Sequence, residues 1–153
     1  MTYPHTDVLC CFPGIGRTTF SSEQNKEGST FCLDLDYDGH NLNAFIETLK
    51  AELNAKNHRY ILIPMGVDIF PALNKNAIEY FVVAPWPEDL AAWAKAWMQK
   101  GATVEMMRAR YDSWARLLRL DETEPYIVYL EKGDWLGNIL EQSRASAADG
   151  KDV

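Results

Sequence analysis

Residues 11–18, Cys-Phe-Pro-Gly-Ile-Gly-Arg-Thr, have types and a spacing that suit phosphate binding. A phosphate-binding loop needs glycines, so that backbone N–H groups can close around phosphate oxygens, a cation for the outer phosphates and a hydroxyl for magnesium. Against the pattern G-x-x-x-x-G-K-[ST], Gly16 takes the second glycine position and Thr18 the hydroxyl position, where it is a candidate magnesium ligand. The residues expected to hold a nucleotide are Pro13, Gly14, Ile15, Gly16, Arg17, Thr18 and Thr19.

Two defining positions of this pattern carry other residues: Cys11 replaces the first glycine and Arg17 replaces the lysine. A guanidinium stays charged and can hold a phosphate through two hydrogen bonds, but it is larger and flatter than an ammonium group. The Cβ of Cys11 opposes any backbone conformation that requires positive φ. We therefore expect phosphate binding with weakened turnover, and we count Arg17 among the candidate catalytic residues.

A second cluster of chemically active side chains is Asp34-Leu-Asp-Tyr-Asp38, which follows an apolar run. In an open parallel sheet ligands bind beyond the carboxyl ends of the strands, so these carboxylates should face the same crevice as the loop at 11–18. Strand alternation places Asp34 and Asp36 on one side, where they could share a magnesium ion or divide metal binding and general-base work between them. The alternative is a solvated acidic turn that begins the next helix.

A third cluster is basic and follows Gly101 in a segment with helical periodicity. Phosphoryl transfer spreads negative charge over the equatorial oxygens, and an arginine on a mobile helical lid can neutralise it. We place this lid at about residues 95–118 and name Arg108 and Arg110 as candidate catalytic residues. The alternative is a solvated helix face on which the arginines pair with Glu105 and Asp112.

The elements that must position these side chains alternate in type along the chain. Short apolar, β-branched or aromatic runs at 8–12, 30–35, 60–63, 80–84 and 126–130 are separated by helical patterns. Helices are predicted at 17–26, 42–53, 69–73, 90–97, 107–118 and 135–142. The sequence therefore predicts an α/β fold: a three-layer sandwich with a five-stranded, mainly parallel sheet.

The amino-acid composition limits the number of domains, the kinds of partner and the location that we expect for this chain. A chain of 153 residues with 47% hydrophobic content suits one domain, which we place at 1–144, followed by a flexible tail at 145–153. The net charge of −7 opposes extended contact with nucleic acid. No signal peptide and no run of membrane-spanning length is visible, so a cytoplasmic protein without membrane contact is expected. The three cysteines lack metal-ligand spacing and are interpreted as reduced core residues; oligomeric state stays open.

Taken together, these residues resemble a family of small P-loop nucleoside- or nucleotide-kinase-like proteins found mainly in bacteriophages and some bacteria. The resemblance spans about residues 7–140 and rests on Phe-Pro-Gly-Ile-Gly-Arg-Thr at 12–18, Asp-Leu-Asp at 34–36, Lys-Gly at 100–101 and Asp-Ser-Trp at 112–114. It implies a P-loop kinase-like fold and an ATP-dependent phosphotransferase that uses Mg²⁺ and acts on a nucleoside, a nucleotide or a related small acceptor. It also implies that Asp36 or Asp34 lies near the acceptor, and that the site of action is a host cytoplasm if the chain is phage-encoded.

Two other functions remain open at the level of sequence. The departures at Cys11 and Arg17 are typical of a P-loop relative that has lost catalysis and serves as a nucleotide-binding or regulatory interaction module. A kinase acting on a modified base in phage DNA is the further alternative, since a short single-stranded acceptor requires few phosphates to be neutralised.

Overall fold

The computed structural model describes residues 2–15, 31–65, 68–119 and 126–130. Within these ranges the strands are β1 (Asp7–Cys11), β2 (Cys32–Asp34), β3 (Tyr60–Pro64), β4 (Phe81–Pro85) and β5 (Tyr126–Leu130). The α-helices are α1 (Leu42–Ala55), α2 (Ile69–Lys75), α3 (Leu90–Gln99) and α4 (Val104–Arg119). A 3-10 helix at Pro87–Asp89 precedes α3. The helices predicted at 17–26 and 135–142 and the predicted tail lie outside the described residues.

The five strands form a single sheet in the order β2-β3-β1-β4-β5, and every neighbouring pair is parallel. This confirms the predicted α/β class and the five-stranded sheet. From β1 the chain passes over β3 to the edge position of β2, whereas each later connection runs in the opposite direction. The connections that leave the neighbouring strands β1 and β3 therefore run in opposite directions, so the reversal lies at the centre of the sheet, between these two strands.

Both faces of the sheet are covered at its centre. Successive side chains of a strand point to opposite faces, yet Val8, Leu9, Cys10 and Cys11 are all buried, as are the first four residues of β3. Such runs of consecutive buried apolar residues are typical of parallel sheets with layers on both sides. The architecture is accordingly compatible with a three-layer sandwich.

Local chemistry explains where several elements begin and end. The Asn41 side chain accepts a hydrogen bond from the Ala44 N–H at 3.1 Å and caps the first turn of α1. Pro64 and Pro85 are the last residues of β3 and β4 and bring no N–H to the ladder. Gly101 has a φ of 89° and forms the turn between α3 and α4, where the sequence predicted a stop.

All three cysteines are free and buried, as the sequence predicted. Among the residues that the structure describes, no helix has both the length and the apolar character needed to cross a bilayer.

Candidate functional site

The carboxyl ends of the strands collect the chemically active residues along one edge of the sheet. The loop after β1 lies at the centre, where the direction of the connections reverses, and in open α/β sheets ligands bind in the crevice at such a point. The acidic segment that follows β2 lies to one side of it. This edge is the candidate site.

The start of the loop after β1 is firmly held. The Phe12 N–H donates to the carbonyl of Val83 at 2.9 Å, which extends the pairing of β1 with β4. Phe12 is 1% exposed, and its ring stacks on that of Trp97 with a centroid distance of 6.0 Å and an interplanar angle of 12°. Ile15 is also fully buried. The loop therefore leaves the sheet along a path fixed by core packing.

Gly14 has a φ of +88°, a conformation that side chains with a Cβ rarely adopt. The indole N–H of Trp97 donates to the Gly14 carbonyl at 2.9 Å. A Cβ built on Gly14 would lie 2.6 Å from Trp97 Nε1 and 2.9 Å from Arg110 Cζ. Only glycine fits here, because both the backbone conformation and the neighbouring side chains exclude anything larger.

Helices α3 and α4 thus bring a cation to the loop. The Arg110 guanidinium lies over the Trp97 ring with 4.8 Å from Cζ to the ring centroid, a cation–π geometry. Burial lowers the pKa of Arg110 from its usual value, and the group remains charged at neutral pH. A fixed positive charge therefore stands beside the backbone of the central loop.

Arg108, the other arginine considered from the sequence, is exposed. Within the described part of the chain, neither arginine forms an ion pair with Glu105 or Asp112, whereas the exposure of Arg108 agrees with a solvated helix face. Helical geometry explains the contrast, because residues two positions apart do not share a face.

The acidic segment after β2 is organised by short-range hydrogen bonds. Asp38 Oδ1 accepts from the His40 N–H at 2.9 Å, and the Tyr37 hydroxyl donates to Asp68 Oδ2, beyond β3, at 2.8 Å. The bond to Asp68 raises the pKa of the Tyr37 phenol above its ordinary value. These contacts bring the carboxylate of Asp68 to the segment that carries Asp36.

Asp34 is half-buried and Asp36 is exposed. Burial, assisted by the charge of Asp34, raises the pKa of the Cys32 thiol to about 12, so this thiol is protonated at neutral pH.

Strand register places this segment relative to the central loop. Asp34 pairs with Leu62, and Leu62 pairs with Leu9, so Asp36 is level with the end of β1. Strand β3 lies between β2 and β1, so Asp36 and the end of β1 are two strand spacings apart, which is about 10 Å. That is close enough for one ligand to span both features.

The predicted magnesium set is only partly described. Thr18 lies outside the described residues, as do Gly16, Arg17 and Thr19, while Pro13, Gly14 and Ile15 occupy the central loop. Among the described residues there is no group of three or more His, Cys, Asp or Glu side chains placed to hold a metal ion.

An open groove of about 390 Å³ beside Asp36 was not predicted from the sequence. Its lining comes from the segment after β2 and from the first two turns of α1, and it includes Tyr37, Asp38, His40 and Phe45. The Tyr37 and Phe45 rings lie 5.0 Å apart between centroids. The sequence signal that could have predicted this groove is the pair of aromatic residues, Tyr37 and Phe45, on either side of the Asp38-Gly39 turn.

No protein-family model and no curated protein matches this chain.

Proposed function

We propose that this chain is an ATP-dependent phosphotransferase of the P-loop kinase type, with Mg²⁺ as cofactor and a nucleoside, a nucleotide or a related small molecule as acceptor. The observation that carries the proposal is the Arg110 guanidinium held beside Gly14, on a loop at the point where the sheet connections reverse. A turn that requires glycine, with a fixed cation beside it, suits the phosphates of a nucleotide.

The roles of the side chains follow from their positions. Arg110 would stabilise the charge that develops on the transferring phosphoryl group, while Gly14 lets Trp97 and Arg110 pack directly against the loop. Asp36 is exposed and lies about 10 Å from the loop by strand spacing. It would accept the proton of the acceptor hydroxyl while the hydroxyl oxygen bonds to the terminal phosphorus of ATP and ADP departs.

The oxygen-rich segment at Asp34 and Asp36 suits Mg²⁺, which prefers one or two carboxylates together with phosphate oxygens. Bound Mg²⁺ would neutralise part of the negative charge of the phosphates.

The test is a transfer assay with labelled ATP and a broad panel of nucleosides and nucleotides. We expect phosphate transfer to at least one acceptor, and loss of about a hundredfold or more in Asp36→Asn with unfolding unchanged. Asp112→Asn makes the same chemical change on the exposed side of α4 and should retain full activity. Absence of transfer across the whole panel, or full activity in Asp36→Asn, contradicts the proposal.

A catalytically weakened nucleotide-binding module is the second candidate. The observation favouring it is the close packing of Trp97 against the loop, since a Cβ at Gly14 would lie 2.6 Å from the indole nitrogen and the loop has little room to rearrange. This candidate predicts ATP binding without transfer, and no gain of activity in Arg17→Lys. Strong transfer in Arg17→Lys would contradict it.

A further inference from the structure

We propose that Trp97 is a positioning residue of the phosphate site: its indole holds both the backbone of the loop after β1 and the guanidinium of Arg110, and so sets the distance between them. The inference rests on the proposed function for the identity of the ligand. It assigns a role to a side chain that acts on phosphate only through the loop and the arginine.

Three contacts meet on the indole of Trp97. Its N–H donates to the Gly14 carbonyl at 2.9 Å. The Arg110 Cζ lies 4.8 Å from the centroid of the ring. The ring of Phe12, from the same loop as Gly14, stacks on the indole with a centroid distance of 6.0 Å. Because the indole is rigid, a displacement at one of these contacts disturbs the other two.

Burial keeps the indole in this position. Trp97 is 3% exposed, and Trp93, one turn earlier in α3, lies beside it with 6.1 Å between ring centroids. A Cβ added at Gly14 would lie 2.6 Å from Trp97 Nε1 and 2.9 Å from Arg110 Cζ, so both side chains lie directly against the loop backbone. The loop, the indole and the guanidinium therefore form one packed unit.

An arginine that binds phosphate gains from such a support. Its side chain has several rotatable bonds, and ordering it on ligand binding costs conformational entropy. An aromatic face that already holds the guanidinium lowers this cost. The N–H donors lie in the plane of the guanidinium, so stacking on a ring leaves them available to phosphate oxygens. Trp97 therefore raises the affinity for phosphate by preorganising Arg110.

A tryptophan that only fills the core would behave differently. Its removal would weaken the fold and disturb binding to the same extent whether or not Arg110 is present. Positioning acts through the arginine, so the contribution of the aromatic ring to binding should depend on Arg110. This dependence is the quantity to measure.

The experiment is a calorimetric titration of the full chain with inorganic tripolyphosphate at low salt, because this probe has no base or sugar. Trp97→Phe keeps a ring for Arg110 but removes the N–H, and we expect an affinity about threefold lower. Trp97→Leu removes both and should lose a further threefold to tenfold. When Arg110→Gln is also present, the two variants at position 97 should differ less than twofold.

Trp93 offers the matched control, since it is also 3% exposed and belongs to the same helix. Trp93→Phe and Trp93→Leu make the same changes one turn away, and their affinities for tripolyphosphate should differ less than twofold. If Trp97→Leu does not fold, Trp97→Met takes its place, because a flexible methionine fills irregular space without an aromatic face.

The outcomes separate this inference from the proposed function. A loss from the phenylalanine to the leucine variant at position 97 that requires Arg110 supports the inference. The same loss with and without Arg110, no loss at all, or an equal loss at position 93 overturns it and leaves the proposed function standing. Absence of tripolyphosphate binding by the unmodified chain overturns both.

Discussion

The substitution Gly14→Ala tests whether α3 and α4 pack on the central loop as described. The chain offers matched controls, because Gly39 and Gly101 have φ values of +88° and +89° and nothing within 4 Å of an added Cβ, whereas Gly14 has Trp97 at 2.6 Å and Arg110 at 2.9 Å. Backbone strain is therefore common to all three alanine variants, and steric conflict belongs to Gly14 alone.

The expected loss of stability has two contributions, the backbone strain and the steric conflict. Positive φ at a residue with a Cβ costs about 1–2 kcal/mol. At Gly14 the added methyl also displaces the Trp97 indole, which is 3% exposed, stacked on Phe12 and hydrogen-bonded to the loop. Overpacking of this kind costs a further ~1–3 kcal/mol. We expect Gly14→Ala to lower the free energy of unfolding by about 2–5 kcal/mol and each control by about 1–2 kcal/mol.

Urea denaturation followed by far-UV circular dichroism measures the difference. With a slope of about 1–3 kcal/mol per molar urea, the midpoint of Gly14→Ala should lie clearly below those of Gly39→Ala and Gly101→Ala. The double variant Gly14→Ala with Trp97→Leu should show a coupling energy of about 1 kcal/mol or more, because the second change removes the obstructing indole. Equal losses in all three single variants, with no coupling, would refute the described packing.

Two further predictions concern ionisable groups. The Tyr37 phenol should titrate above its ordinary pKa, and Asp68→Asn should lower that pKa, as measured by absorbance titration with Tyr37→Phe subtracted; an unchanged titration would contradict the hydrogen bond. Since the folded-state pKa is the higher one, any stabilisation by this pair is present below about pH 10 and lost as pH rises through the folded value. At pH 8 the buried thiols of Cys10, Cys11 and Cys32 should react with a thiol reagent far more slowly in the folded chain than in urea, whereas equal rates would contradict their burial.

The fold class was accessible from the sequence because short apolar runs alternating with helical patterns leave few arrangements. The first, third, fourth and fifth predicted strands match β1, β3, β4 and β5 to within one residue at each end. β2 is shorter than the predicted 30–35, although the Leu35 N–H still donates to Leu62 at 2.9 Å. Local pattern determines such elements well, since each run carries its own periodicity.

The assembly of the site was less accessible, because it depends on contacts between distant segments. Helical periodicity predicted that Trp97 is buried, and it is, but periodicity does not show that its N–H reaches Gly14, 83 residues away. Likewise the sequence left Arg108 and Arg110 equivalent. The structure distinguishes them because Arg110 lies over the Trp97 ring and beside Gly14, whereas Arg108, two positions away on the helix, is exposed.

The central claim is that the loop after β1, with Arg110 beside it, holds the phosphates of a nucleotide. Calorimetric titration with ATP at low salt, on the full chain and on Arg110→Gln and Arg108→Gln, tests it most directly. We predict measurable ATP binding that weakens about tenfold or more in Arg110→Gln, since hydrogen bonds to charged groups contribute about 1.5–3 kcal/mol, and that changes less than twofold in Arg108→Gln. Absence of ATP binding, or equal binding by the two variants, would contradict the claim.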